Sequence, residues 1–172
     1  MRLSVARLTF LAVVAGCAGC TTAQPAVSPH TRSPAPLVSV RVVLPSRTMT
    51  AGSHMFGRVV VDNTTKRAVH VGGCGLPFMV ALSSSTYHPT VIWLSCAHIF
   101  TIPAGISGYR VEILADYLAC SLRGVPSCLP GKHNVPPQSP PLPPGRYQAK
   151  LFFQGKQFAP APPAIPVRVT PK

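Results

Sequence analysis

At 172 residues the chain has the size of one ordinary domain, and 47% hydrophobic content excludes wholesale disorder. Its charge is one-sided, with 16 Lys and Arg against 3 Asp and Glu for a formal net of +13. Only Lys66 and Arg67 are adjacent, while Arg41, Arg58, Arg110, Arg123, Arg146 and Lys150 are scattered. No clustered basic arm of the nucleic-acid-binding kind is present, and no nucleic-acid partner is expected; the positive charge suits anionic lipid headgroups or acidic wall polymers instead.

Residues 1–16 read as a signal peptide for export. Arg2 and Arg7 give a positive start, Leu8 to Ala15 an apolar run, and Ala15-Gly16 a small-residue exit. The run is shorter than the roughly 20 apolar residues that a membrane-crossing helix needs. At its end Val14-Ala15-Gly16-Cys17 resembles the lipobox of bacterial lipoproteins, a branched apolar residue and two small ones before the modified cysteine. The resemblance implies that a diacylglyceryl group is joined to the Cys17 sulfur and that Cys17 becomes the first mature residue. The protein is then held in the cell membrane by lipid, on its extracytoplasmic face. Two acyl chains, at about 0.8 kcal/mol per buried methylene, make that attachment durable. Cys20 fits the motif less well, because Cys17 stands where a branched apolar residue belongs. Residues 17–36 continue as a Pro/Ser/Thr-rich tether, with Pro25, Pro29, Pro34 and Pro36 and no periodic apolar face.

From Leu37 onward the apolar period is two. Val38, Val40, Val42 and Leu44 mark a first strand, after which Thr48 to Ser53 read as a turn. Phe56 to Val61 predict a second strand, closed by Asp62-Asn63-Thr64-Thr65, whose side chains bond readily to nearby backbone. Val69 and Val71 flank an outward His70; further strands are predicted at Phe78–Leu82, Thr90–Leu94, Ile99–Ile102, Tyr109–Leu114, Tyr147–Phe153 and Ile165–Val169. Trp93, alone in an apolar run, reads as core. The segment 129–145, with seven prolines, reads as a long surface loop that stiffly connects its neighbours. Nine short strands, turn signals about every dozen residues and no helix pattern predict an all-β domain over 37–172, an immunoglobulin-like antiparallel β-sandwich.

Four cysteines remain in that domain, Cys74, Cys96, Cys120 and Cys128, and outside the cytoplasm an even count predicts two disulfides. Three pairings are possible; the nearest-neighbour choice joins Cys74 to Cys96 and Cys120 to Cys128. Metal ligation by Cys96 and His98 with Met49, His54, Met55 and Met79 lacks recurring two-ligand spacing, so no cofactor is expected. Asp62, Glu112 and Asp116 are the only carboxylates, and no nucleophile elbow or phosphate-cradling loop is present. Gly72-Gly73-Cys74-Gly75 has no helix after it and reads as a bend. The chain is therefore not expected to be an enzyme.

The order of an Asp62-Asn63-Thr64 turn, a Trp93 segment, Phe100-Thr101-Ile102-Pro103-Ala104-Gly105 and a closing Pro144-Gly145-Arg146-Tyr147 resembles the bacterial intracellular proteinase inhibitor family over most of residues 38–155. That resemblance implies a β-sandwich and inhibition of proteases, while the leader, the cysteines and the proline loop depart from the family. The functional expectation is a non-catalytic, lipid-anchored binding or structural module of the cell envelope, with an envelope protein as partner. A protease inhibitor, or a carrier of a metal or small ligand, is the alternative.

Overall fold

Alternating apolar and polar positions sort the chain into strands with one buried side, and two such surfaces cover each other. The structure, a computed structural model, describes residues 37–93, 97–131, 137–154 and 156–172. The leader, Cys17, Cys20, the tether and Cys96 lie outside the described residues. Among those described there are nine strands and no helix: β1 (Val38–Val43), β2 (Thr48–Thr50), β3 (His54–Asn63), β4 (Val69–Gly72), β5 (Phe78–Ser83), β6 (Ile99–Ile102), β7 (Gly105–Leu114), β8 (Gly145–Phe153) and β9 (Ile165–Thr170).

Two sheets, ordered β1-β3-β7 and β2-β9-β8-β5, form the sandwich, and β4 with β6 makes a separate two-stranded ribbon. All pairings are antiparallel except β2 with β9, which is parallel. The architecture is the immunoglobulin-like sandwich expected, with this one parallel pair added. Inward side chains of both sheets, among them Val40, Val59, Val61, Val80, Ile113 and Val169, make one continuous core.

The structure corrects three local expectations. Thr48–Ser53 is not simply a turn: Thr48–Thr50 is a strand, placed by parallel pairing to Arg168–Thr170. Its Met49 side chain is only 5% exposed, and the turn proper is left to Ala51-Gly52. Residues 90–93 form no strand, because residues 84–93 lie across the outward side of β5 instead of joining a ladder, and Leu94 lies outside the described residues. The proline-rich segment does not stay wholly on the surface, since Pro140 and Leu142 are buried and the Leu142 N–H donates to the Ala115 carbonyl at 2.8 Å.

Two polar devices fix the ends of the strands. Asn63 is fully buried, which would be costly were its amide not satisfied. Its Nδ2 donates to the carbonyls of Arg67 (2.9 Å) and Pro103 (3.1 Å), and its Oδ1 accepts from the Thr65 N–H (3.1 Å) and hydroxyl (2.6 Å). All four bonding positions of the amide are thereby used, joining the turn after β3 to the turn between β6 and β7. At the start of β8 the Tyr147 hydroxyl donates to the Pro143 carbonyl at 2.8 Å. This is the tyrosine corner of immunoglobulin-like sandwiches, a chain reversal held by a hydroxyl bonded a few residues upstream.

Chemical denaturation of single variants checks both devices. Asn63→Ala leaves the Pro103 carbonyl and the Thr65 N–H without this partner, while the Thr65 hydroxyl can still donate to the Arg67 carbonyl (2.7 Å); it should cost about 3 kcal/mol, whereas Tyr147→Phe should cost about 1 kcal/mol, the net value of a single hydrogen bond. A smaller loss for Asn63→Ala than for Tyr147→Phe would contradict the assignment.

Candidate functional site

Among the described residues each sheet of the sandwich has an edge strand with no further neighbour on this side, β5 in one and β7 in the other. A cleft of about 420 Å³ opens where they adjoin, within the range of roughly 300–1,000 Å³ usual for ligand sites. β5 contributes Phe78, Met79 and Val80, and β7 contributes Val111 and Leu114. Ile92 and Trp93 line it from the segment over β5, Cys74 and Leu76 from the bend before β5, and Leu118 from the chain after β7. The charged lining residues are Arg110 and Glu112, alternate outward positions of β7.

The local sequence explains how each wall is held. β5 reads Phe-Met-Val-Ala-Leu-Ser, apolar at its first five positions, so it has no side suited to water. The covering segment is folded onto it by Ser84, whose N–H donates to the Tyr87 carbonyl (2.8 Å) and whose Oγ accepts from the Tyr87 N–H (3.0 Å). Tyr87 itself is buried, and its hydroxyl accepts the Leu118 N–H at 2.9 Å. The ring lies edge-on to Tyr117 with centroids 4.8 Å apart. Burial holds the Tyr87 phenol above the usual tyrosine range, keeping the hydroxyl neutral, with the Leu118 bond opposing. At the other end Phe78, Phe100 and Tyr109 form an edge-to-face triad, with Tyr109 centroids 5.3 Å from each phenylalanine. These rings tie β5, β6 and β7 together.

Arg110 stands at the rim with its guanidinium 3.7 Å from the Phe56 ring centroid. That cation–π contact holds the side chain over β3 while its positive charge stays in water.

Several residues considered from sequence fall elsewhere. Trp93 is half-buried on the cleft wall, not enclosed in the core. Met49 is in the core and Met55 packs against it, which removes both from any ligand set. Among the described residues no group of three His, Cys, Asp or Glu is arranged to hold a metal. His54 stacks edge-on to Phe56, and His70 bonds the Thr101 hydroxyl at 3.2 Å. The carboxylates are dispersed: Asp62 is paired with Ile106 and Glu112 with Phe56, which separates these two by roughly 20 Å along the ladder at about 3.4 Å per residue.

Cys120 and Cys128 are joined by a disulfide across a Cα separation of 4.9 Å. Cys74 is also disulfide-bonded, and Cys96, its expected partner, lies outside the described residues. The glycine bend around Cys74 is fitted to β8: a Cβ at Gly73 would collide with the Gln154 carboxamide, which accepts the Cys74 N–H at 3.2 Å.

Sequence reasoning missed Met79, Ile92, Arg110 and Phe56. The unbroken apolar run of β5 was the available signal, since an edge strand of a sandwich normally alternates. Nothing in the sequence announced that residues 84–93 would be what covers it.

The sequence matches no family model and no curated protein. Among solved structures a mutant β-glucosidase from Listeria innocua in complex with laminaribiose is similar at a TM-score of 0.43 and 13% identity, over 77% of this chain and 16% of that one. So distant a likeness carries no statement about activity.

Asp116 lies at the end of β7, bridged to Pro141. Burial raises its carboxyl above the usual aspartate range, opposed by nearby His54 and Lys172. The folded chain therefore holds that proton more tightly than the unfolded chain does. Ionisation costs no stability below the ordinary aspartate range; the cost grows as pH rises through it and is complete at neutral pH. Asp116→Asn should raise the melting temperature at pH 7 and lose that advantage near pH 3, as followed by thermal denaturation across pH.

Proposed function

We propose that this chain is an exported lipoprotein, acylated on Cys17 at the outer face of the cell membrane, whose sandwich is a non-catalytic binding module with the β5–β7 cleft as its site. The cleft carries the reading. Its walls are mostly apolar, so an occupant gains by leaving water. An unpaired strand edge on either side offers backbone N–H and C=O groups to an extended segment laid between them. The occupant of matching chemistry is an extended apolar segment of another envelope protein, with Arg110 and Glu112 at the mouth to fix its polar ends. Dispersal of the only three carboxylates supports binding without catalysis, and the leader motif supports the location.

Protease inhibition, the activity of the resembled family, calls for an exposed contact loop. The Cys120–Cys128 loop is exposed, but its Val125 N–H bonds the Leu122 carbonyl at 3.0 Å and Gly124 sits at φ 77°. It is a closed turn and not an extended segment, which favours the binding module.

Native purification from solubilised membranes, followed by mass spectrometry, tests this reading. It should return an N-terminal Cys17 bearing the diacylglyceryl group and a protein crosslinked within reach of Trp93. Met79→Lys should lose that protein while keeping the melting profile. Since the chain holds a single tryptophan, adding the captured segment should also shift the Trp93 emission. An unmodified amino terminus, or a partner retained by Met79→Lys, would sink the reading.

A further inference from the structure

Positive charge is spread along the sequence, but the fold sorts it against the few acids. Asp62 and Glu112 project from β3 and β7 on the outer face of one sheet, and Asp116 stands at the end of β7. The outer face of β2-β9-β8-β5 carries none of the three. On it the alternate outward positions of β8 are Arg146, Gln148 and Lys150, and those of β9 include Arg168, all exposed.

Two of these cations face each other directly. Arg146 and Arg168 are register partners across β8 and β9, an arrangement that like charges make unfavourable unless something neutralises them. Among the described residues no carboxylate comes within ion-pair distance of either. Both line an open depression of about 410 Å³ that runs on to Pro144 and Gly145 before β8 and to Thr170 and Pro171 at the end of β9. On the other side of β9 the exposed Thr48 is the register partner of Arg168, and the Arg47 carbonyl accepts the Arg168 N–H at 2.8 Å.

We propose that this face docks on an anionic lipid surface, Arg146 and Arg168 sharing one headgroup phosphate at the depression they both line while Lys150 engages a neighbouring one. Paired guanidiniums match phosphate oxygens in geometry as well as charge. The surface chemistry that complements the face is a sheet of phosphodiesters: the cations are side by side on one outward sheet surface, their spacing set by the pleat and by the strand separation of about 4.8 Å. Each basic residue brought to such a surface strengthens binding about fivefold, with a range limited to the Debye length of about 8 Å at physiological salt. The face acts whether or not Cys17 is acylated. On an anchored chain it would hold the sandwich against the membrane by this one face.

The test uses the full chain with Cys17→Ser, so that acyl chains contribute nothing and a failure here is distinct from failure of the anchoring proposal. Partition onto vesicles of equal parts phosphatidylglycerol and phosphatidylcholine is compared by co-sedimentation with partition onto phosphatidylcholine alone; the leader, with its Arg2 and Arg7, is common to every variant and cancels when variants are compared. The chain should prefer the anionic vesicles, and the preference should weaken as salt is raised. Arg146→Gln with Lys150→Gln and Arg168→Gln should reduce it about a hundredfold. Arg41→Gln with Arg58→Gln and Lys66→Gln has the same net charge and should retain most of it. Because Arg146→Gln relieves a like-charge pair, its melting temperature should not fall, which keeps misfolding separate from lost binding. Equal losses in the two triple variants would show that net charge alone acts and would overturn the proposal. So would the absence of any preference for anionic vesicles, or complete competition by soluble polyphosphate at matched phosphate concentration, which would assign the face to a polymer.

Discussion

The passage of the first strand from one sheet to the other is the constraint on which the rest of this structure depends. Val38–Val43 pairs antiparallel with β3, the chain turns through Leu44 to Arg47, and Thr48–Thr50 pairs parallel with β9 in the opposite sheet. One stretch of chain thus covers an edge of each sheet and stitches that side of the sandwich shut. The uncovered edges, β5 and β7, are brought to the other side, and there the cleft forms. The core holds the two sheets together by burying their apolar sides, but the crossing strand decides which side is left open.

The open side is bordered by polar and aromatic groups that cannot be rearranged cheaply. Asn63 fixes the turns at one end through four hydrogen bonds, and the Phe78, Phe100 and Tyr109 rings tie β5, β6 and β7 to one another. Tyr87 clamps the covering segment to Leu118. Each links elements distant in the chain, so the cleft is a property of the assembled sandwich and of no single loop. The Cys120–Cys128 bond differs in kind: it closes a short exposed loop, and by the loop-closure argument it acts mainly on the unfolded chain.

Charge follows a separate logic. With so few acids in the chain, their placement determines the character of each face. Both strand-borne carboxylates fall on the β1-β3-β7 sheet, where Arg110 is engaged by Phe56. The opposite sheet is left with unneutralised cations in facing positions. A basic composition thereby becomes a directional field, one face cationic and the other mixed, and the two proposed contacts, an apolar segment in the cleft and a lipid surface on the sheet, fall on different parts of the molecule and can be occupied together.

Most of the strands were readable from the chain because their cause is local. Alternation of apolar and polar residues is imposed by a half-buried pleat, so β1, β3, β4 and β7 to β9 show themselves residue by residue, β5 and β6 show as short apolar runs, and Pro144-Gly145-Arg146-Tyr147 holds the tyrosine corner. The short strand Thr48–Thr50 was not readable, since three residues carry no periodicity and only pairing with β9 makes them a strand. Trp93 misled for the same reason in reverse: an apolar run at Thr90–Leu94 has the composition of a strand, yet apolar side chains can equally be used to cover a neighbour. Leu142 in the proline-rich segment likewise gave no local sign of reaching the core. The sequence alone determined the β class, the one-sided charge and the lipobox-like leader, because each is a matter of composition or spacing. Which edges stay open, which cations face one another and which apolar residues line a cleft were decided only in the tertiary structure, because register and sheet order bring together residues that the chain holds far apart.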